Sequence, residues 1–197
     1  MSPDILLTLW LSPAFPVGAF AYSHGLEWAA EAGDVRDEAT LVAWLTDLVE
    51  HGSARTDAIL LAEALRATSA REATRLQEVN DLALALAPSS ERRLETAQQG
   101  RSFHAAIAAA WSNESVEWAS ETLADEIAYP VAVGMACAAH AIPVARACEA
   151  FALGFVANLV SAAVRLSIIG QTQGQRVLAA LAAPVAALGA RAAQAGL

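Results

Sequence analysis

Residues 37–49 read Asp37-Glu-Ala-Thr-Leu-Val-Ala-Trp-Leu-Thr-Asp-Leu-Val49, and this stretch carries the clearest structural signal in the sequence. Its large apolar residues recur at intervals of three and four positions: Leu41, Trp44, Leu45, Leu48 and Val49. That spacing places side chains on one face of an α-helix. Asp37 and Glu38 precede the apolar residues as a cap and a first-turn acid. The stretch therefore predicts an amphipathic helix.

The same helical spacing continues to both sides of this stretch. One helix is expected to follow a break at Gly52-Ser53, and others cover approximately 71–86, 90–111, 116–127, 130–141, 143–169 and 172–193. Pro88-Ser89-Ser90 supplies a serine cap, and Pro143 suits a first helical turn. No window shows the alternating, β-branched pattern of a strand. We therefore expect an all-α, single-domain bundle of about eight to ten helices.

Composition supports a helical globular protein. The chain has 197 residues, of which 56% are hydrophobic and 17% are charged, and this excludes intrinsic disorder. Alanine, the best helix former, occupies 49 positions. The size suits one domain, and we expect it to cover residues 1–197.

The charge pattern argues against nucleic acid as a partner. The net charge is −9, and all twelve basic residues are arginine. A protein without a basic run lacks the surface that neutralises phosphates. Residues 1–100 carry 15 acids and 7 arginines, whereas residues 127–197 carry only one acid and four arginines. Two such different halves suit two different docking surfaces.

Cysteine content and apolar segments favour a cytoplasmic protein outside the membrane. Cys137 and Cys148 are the only cysteines, which is too few for a secreted scaffold. The N-terminal segment lacks the basic region of a signal peptide. Residues 127–145 and 150–164 are apolar, but prolines, Asn158 and flanking charges interrupt them. We expect buried helices with an apolar association face.

Residues 11–19 are the exception to the helical pattern. Two prolines and a glycine impose extended and turn geometry on this segment, although it is unusually apolar for a loop. It is expected either to pack inward or to form a contact surface. A helix is expected to open near Gly25.

Candidate catalytic and metal-ligating residues are few. Ser23, His24 and Glu27 have the residue types of a triad, but neighbouring helical residues do not face one another. Cys137 and His140 share a helix face and could supply half of a metal site. A buried cysteine and a hydrogen-bonded histidine are the commoner outcome for such a pair. We expect no catalytic residue, metal site or cofactor, and keep an enzyme using Cys137, His140 and Glu27 as the alternative.

Two polar runs leave different expectations. Gln171 and Gln175 lie four residues apart within an apolar region, and either burial against a partner or a solvated helix start is compatible with them. The charged run over residues 90–101 is expected to form a solvated helix face.

Three motifs in the sequence resemble those of the urease accessory protein family UreF. They lie at Leu9–Glu27, which contains Leu-Ser-Pro-Ala-Phe-Pro-Val-Gly-Ala-Phe-Ala-Tyr-Ser-His-Gly-Leu-Glu, at Glu91–Arg101, and at Val164–Gln175. Their order matches the family and they span nearly the whole chain. Family members usually have a further C-terminal tail with a proline, a histidine–glutamate pair and a basic end, and this sequence ends at Leu197 without one.

The resemblance implies a non-enzymatic, all-α, cytoplasmic adaptor in the maturation of the nickel enzyme urease. Its implied partners are a UreD-like protein (also called UreH), the GTPase UreG and urease apoprotein, with a possible homodimer. The residues that match family motifs, and are therefore expected to bind partners, are Tyr22, Ser23, Glu27, Arg165, Gln171 and Gln175. Arg165 is expected to reach water or an acid such as Glu149, because burying it unpaired would be prohibitive.

Overall fold

A computed structural model describes residues 2–123 and 126–197, and in these residues the chain forms ten α-helices and one short 3-10 turn. The helices are α1 (Pro3–Trp10), α2 (Leu26–Glu31), α3 (Glu38–Glu50), α4 (Ser53–Ser69), α5 (Ala73–Ala85), α6 (Ser90–Ala110), α7 (Glu114–Thr122), α8 (Tyr129–Ala139), α9 (Val144–Arg165) and α10 (Gln171–Ala192). The described ranges contain no β-strand. The predicted all-α class and the number of helices are confirmed.

Local sequence signals determine where several helices begin. Asp37 caps α3 by accepting a hydrogen bond from the Thr40 backbone N–H at 2.9 Å, and the Asp37 N–H donates to the Thr40 hydroxyl at 3.1 Å. Ser89 caps α6 by accepting from the Arg92 N–H at 3.2 Å. The chain breaks at Gly52 between α3 and α4, as predicted. Pro143 lies one residue before the first residue of α9, in the cap position.

The centre of the fold is α4 packed against α8, with α9 and α10 beside them. Most of α4 is buried, including alanines on several sides of the helix. At Gly134 in α8, an added Cβ would lie 2.6 Å from the Leu61 carbonyl oxygen of α4. The two backbones therefore touch, and the abundance of alanine and glycine permits this close approach.

Two predicted boundaries differ from the structure. Helix α9 ends at Arg165 rather than near residue 169, because Ser167 adopts a left-handed conformation with φ of 59°. The Ile168 N–H then donates to the Ala163 carbonyl at 3.0 Å and closes the helix end. Helix α7 ends at Thr122, and residues 124 and 125 of the predicted 116–127 helix lie outside the described residues. Helix α1 is not among the predicted helices.

Helix α9 is long and apolar enough, by length and composition, to cross a membrane. Half of the residues in its most apolar window are buried within the protein. The helix packs along α10 and α4. This is the arrangement expected of a core helix.

Candidate functional site

Residues 11–25, here called the strap, join α1 to α2 and pack on α6 and α9. Its only regular element is the 3-10 turn Ala19–Ala21. Three of its residues have left-handed backbone conformations: Gly18, His24 and Gly25, with φ of 73°, 50° and 82°. Some of its apolar side chains pack inward and others form surface, since Phe15 and Val17 are buried whereas Phe20 is 71% exposed. The strap packs inward and also presents a surface.

An aromatic cluster anchors the start of the strap. Trp10 is fully buried and makes edge contacts with Phe103, Trp111 and His140, at ring-centre distances of 6.4, 6.0 and 5.2 Å. Phe15 packs on Phe103 at 5.0 Å. Aromatic pairs at such distances stabilise beyond the area that they bury. The N-terminal end of the strap is thus held by the core.

Helices α9 and α6 hold the rest of the strap through its backbone carbonyls and one phenol. Asn158 donates from Nδ2 to the carbonyl oxygens of Ala19 and Tyr22 at 3.0 and 3.2 Å. Arg165 donates from Nη2 to the Phe20 carbonyl at 2.8 Å. The Tyr22 hydroxyl donates to Gln98 Oε1 at 3.2 Å. These hydrogen bonds fix the irregular strap on two regular helices.

A cluster of charged side chains lies beneath the strap. His24 Nε2 lies 3.3 Å from Glu95 Oε1, and Arg92 Nη1 lies 2.5 Å from Glu95 Oε2. Arg92 also reaches Asp57 of α4, with 3.4 Å between Nη2 and Oδ2. Gln99 donates to Glu95 at 3.1 Å. The charge cluster, defined as His24, Asp57, Arg92 and Glu95, therefore joins the strap to α4 and α6.

The two carboxylates of the charge cluster respond differently to their surroundings. Burial tends to raise the pKa of Glu95, but the hydrogen bond and charge of His24, together with Arg92, outweigh burial and lower that pKa. Burial raises the pKa of Asp57 to about 6, although Arg92 and His24 oppose the change. Glu95 is thus the well-compensated carboxylate and Asp57 the poorly compensated one.

The expectation of a solvated face over residues 90–101 is wrong for the inner side of α6. Glu95 and Gln99 are only 3% and 5% exposed. The physical reason is that this face lies opposite the charges of the strap and α4, so its polar groups find partners inside the protein. Gly100 lies on the same face and packs directly against the chain backbone, since an added Cβ there would lie 2.0 Å from the Ile127 carbonyl oxygen.

The residues that the resemblance singled out lie at or near the outer side of the strap and its supports. Glu27 is exposed, and Tyr22 and Ser23 are half-buried. Arg165 is exposed, as its chemistry required, and in the described residues it forms no ion pair with Glu149. Tyr22 and Arg165 both take part in holding the strap on α9, because Asn158 donates to the Tyr22 carbonyl and Arg165 donates to the Phe20 carbonyl.

Gln171 and Gln175 lie in the first turns of α10, after the five-residue connection that follows Arg165. Both side chains are exposed on this chain, so water or a partner can satisfy their amides. Gly174 between them is buried, and an added Cβ would lie 3.1 Å from Val160 of α9. The small residue lets α10 pack closely on α9 while the two amides face outward.

The candidate triad and the residues of the alternative enzyme make other contacts. His24 contacts Glu95 rather than Ser23 or Glu27. Cys137 is fully buried, and burial raises the pKa of its thiol. His140 Nε2 lies 3.0 Å from the Trp111 carbonyl oxygen. Within residues 2–123 and 126–197, no group of three or more metal-ligating side chains could hold an ion.

Sequence reasoning missed Asn158 and Asp57 as parts of this site. Asn158 was visible as a lone amide in the apolar run 150–164, and such a residue needs a polar partner. Asp57 gave no comparable signal, because its partners come from segments distant in sequence.

The fold and the site together define an all-α protein with an amino-terminal strap. Hydrogen bonds to α6 and α9 hold the strap in place, and part of it is exposed. Residues 35–182 match the family model described as UreF, so the chain belongs to the UreF family. A urease accessory protein UreF of Xanthobacter autotrophicus is 58% identical over 189 residues, which cover 95% of this chain and 78% of that protein. The corresponding protein of Methylobacterium radiotolerans is 53% identical over 191 residues, with 97% and 83% covered.

Proposed function

We propose that this protein is a non-enzymatic adaptor that links a UreD-like protein and the GTPase UreG to urease apoprotein during nickel insertion. The single observation that carries the proposal is membership of the UreF family over most of the chain. The strap adds support, because a segment fixed on its inner side and exposed on its outer side is suited to protein contacts. One adaptor domain spans residues 1–197, and the protein works in the cytoplasm, with a homodimer as one of its assemblies.

The proposed partner-binding residues are Tyr22, Ser23, Glu27, Arg165, Gln171 and Gln175. Their positions on the strap, in the first turn of α2, at the end of α9 and at the start of α10 support this role. Phe20 and Trp28 add large apolar area beside them, at 71% and 68% exposure. Exposed aromatic and arginine side chains are the commonest hot spots of protein interfaces.

In this proposal nickel is cargo that the assembly delivers, and the chain itself holds no resident metal or cofactor. Equilibrium dialysis of the pure protein should show no stoichiometric nickel. One tightly held nickel per chain, lost in the His140→Ala variant, would instead support the metal-dependent alternative.

Association should follow from the exposed apolar residues. Phe20, Trp28 and Leu153 are all large and open to solvent. Light scattering of the isolated protein should therefore show self-association that a UreD-like partner reduces. A monodisperse monomer at high concentration would count against this part of the proposal.

The direct test is affinity purification of the tagged chain from cells that express urease genes, followed by mass spectrometry. The UreD-like protein, UreG and urease subunits should co-purify, and urease activity should depend on the chain. An untagged strain provides the control. Full urease activation in a strain lacking the chain would contradict the proposal.

A further inference from the structure

A second cavity adjoins the charge cluster. Its volume is about 360 Å³, and its walls come from α3, α4, α5, the connection between α5 and α6, and α6. Six wall residues are apolar, namely Leu48, Leu60, Ala83, Leu86, Ala87 and Pro88, and Ser53, Thr56 and Thr96 add hydroxyl groups. Its floor carries Asp57, Arg92 and His24. The cavity beneath the strap, of about 310 Å³, is lined by the same three residues and also shares Thr96, so the charge cluster borders both spaces.

Asp57 is the under-compensated charge on this floor. Its side chain is 19% exposed, and in the described residues its polar side-chain contact is the 3.4 Å approach of Arg92. Arg92 makes its short contact with Glu95 instead, at 2.5 Å. Charge-assisted hydrogen bonds normally measure about 2.7–2.9 Å, so the contact to Asp57 is a weak one. A carboxylate removed from water in this way is costly without a better partner.

The balance of charges around Asp57 also indicates a missing cationic partner. The titratable groups that face Asp57 are Arg92 and Glu95 of α6 and His24 of the strap. The other side chains that line the second cavity from α3, α4 and α5 are uncharged. Two carboxylates therefore face one arginine and one histidine. Apart from His24, the charge cluster holds two carboxylates and one guanidinium, so one negative charge in the cluster lacks a cationic partner.

We infer that the second cavity binds a cationic head group on an aliphatic stem, as in an alkylguanidinium or alkylammonium ion. The stem would lie between Leu48 and Leu86, and the head group would donate hydrogen bonds to Asp57. Apolar walls with a carboxylate at the base suit the two parts of such a ligand. The side chain of an arginine or lysine in another protein and a free small molecule share this chemistry. The inference does not rest on the proposed function.

Calorimetric titration of the full chain with n-butylguanidinium at pH 7.5 tests the inference. Binding should be saturable and should weaken at least tenfold in Asp57→Asn. Asp81→Asn changes an exposed acid of α5 that does not line the cavity, and it should bind like the wild type. On the wild type, affinity should rise from methyl- to butylguanidinium by up to roughly fourfold per buried methylene.

The pH dependence supplies an independent readout. Because the pKa of Asp57 is about 6, affinity should fall roughly tenfold between pH 7.5 and pH 5 as this carboxylate takes a proton. The same titration of Asp57→Asn, which lacks this carboxylate, should lose this tenfold change.

Two further probes distinguish the sources of the cation. Tighter binding of acetyl-Ala-Arg-Ala-amide than of free arginine would assign the cavity to a protein side chain, and the reverse would assign it to a small molecule. No binding of butylguanidinium, or equal binding by the wild type and Asp57→Asn, would overturn the inference.

Discussion

The inner face of α6 and the end formed by α9 and α10 handle polar side chains in opposite ways. On α6, Glu95 and Gln99 lie four residues apart and are buried. On α10, Gln171 and Gln175 have the same spacing and are exposed. The sequence patterns predicted a solvated face for the first pair and left the second undecided.

The difference shows that the pattern within one helix does not determine burial of a polar pair. Burial of the pair depends on which groups the neighbouring elements place opposite it. Helix α6 faces His24 of the strap and approaches α4, which carries Asp57. The polar side chains of α6 therefore find their ion-pair partners within the protein. The start of α10 faces outward beside Arg165 and is free to contact another molecule. Substitutions should therefore cost folding free energy at α6 and interaction free energy at the α9–α10 end.

The largest effect is expected for Glu95→Ala. This change leaves Arg92 and His24 without their shared partner in a buried site, and should reduce the free energy of unfolding by about 3–5 kcal/mol. Chemical denaturation measures this loss. Gln175→Ala on α10 is the control and should stay within about 0.5 kcal/mol of the wild type. Equal losses in both variants would remove the distinction between the two regions.

Two glycine-to-alanine substitutions test the same comparison through the space available at each site. Gly100→Ala in α6 would drive a Cβ to within 2.0 Å of the Ile127 carbonyl, and should destabilise the fold by about 2–3 kcal/mol. Gly154→Ala in α9 meets its nearest atom at 3.6 Å, so the better helix propensity of alanine should stabilise by up to about 1 kcal/mol. Thermal melting of both variants gives the signs. A stable Gly100→Ala protein would mean that α6 does not lie this close to residues 127–128.

The pH dependence of Asp57→Asn is a smaller effect with a definite sign. Since the pKa of Asp57 rises from 3.8 to about 6 on folding, the folded state binds this proton more tightly than the unfolded state. The protonated carboxyl contributes its stability fully below pH 3.8, and this contribution is lost as pH rises through about 6. At pH 8, Asp57→Asn should therefore be more stable than the wild type by an amount on the order of 1–3 kcal/mol.

Below pH 4 this advantage of Asp57→Asn should disappear. Glu95 has the opposite dependence, because its pKa is lowered, and its contribution falls as pH falls. Comparing the variant with the wild type at each pH cancels that shared contribution. Urea denaturation between pH 3 and pH 8 makes the measurement. A variant that is less stable than the wild type at pH 8 would show that ionised Asp57 is well compensated.

Most of the helical framework could be predicted from the sequence, because its signals are local. The caps at Asp37 and Ser89 and the break at Gly52 depend on residues within a few positions of each helix start. The end of α9 could not be predicted, because the left-handed residue that follows it is Ser167. A glycine at this position would have been a recognisable helix-end signal.

The candidate site was predictable only in part. The family motifs identified Tyr22 and Arg165, and the proline-rich strap was recognised as non-helical. The charge cluster could not be found, because Asp57 lies 35 positions from Arg92 and no local pattern joins them. Long-range pairing of this kind depends on how α4, α6 and the strap pack together.

The most direct test concerns Arg165, the exposed residue that also holds the strap and that we propose engages UreG. Arg165→Glu should lower the melting temperature by no more than about 4 °C, because only hydrogen bonds to Ser161 and the Phe20 carbonyl are lost. Capture of UreG by the complex with the UreD-like protein should fall roughly thirtyfold, as expected for an interface arginine that contributes about 2 kcal/mol. Arg146→Glu, which reverses an exposed charge near the start of the same helix, should leave capture unchanged. Normal UreG capture and normal urease activation by Arg165→Glu would contradict the central claim.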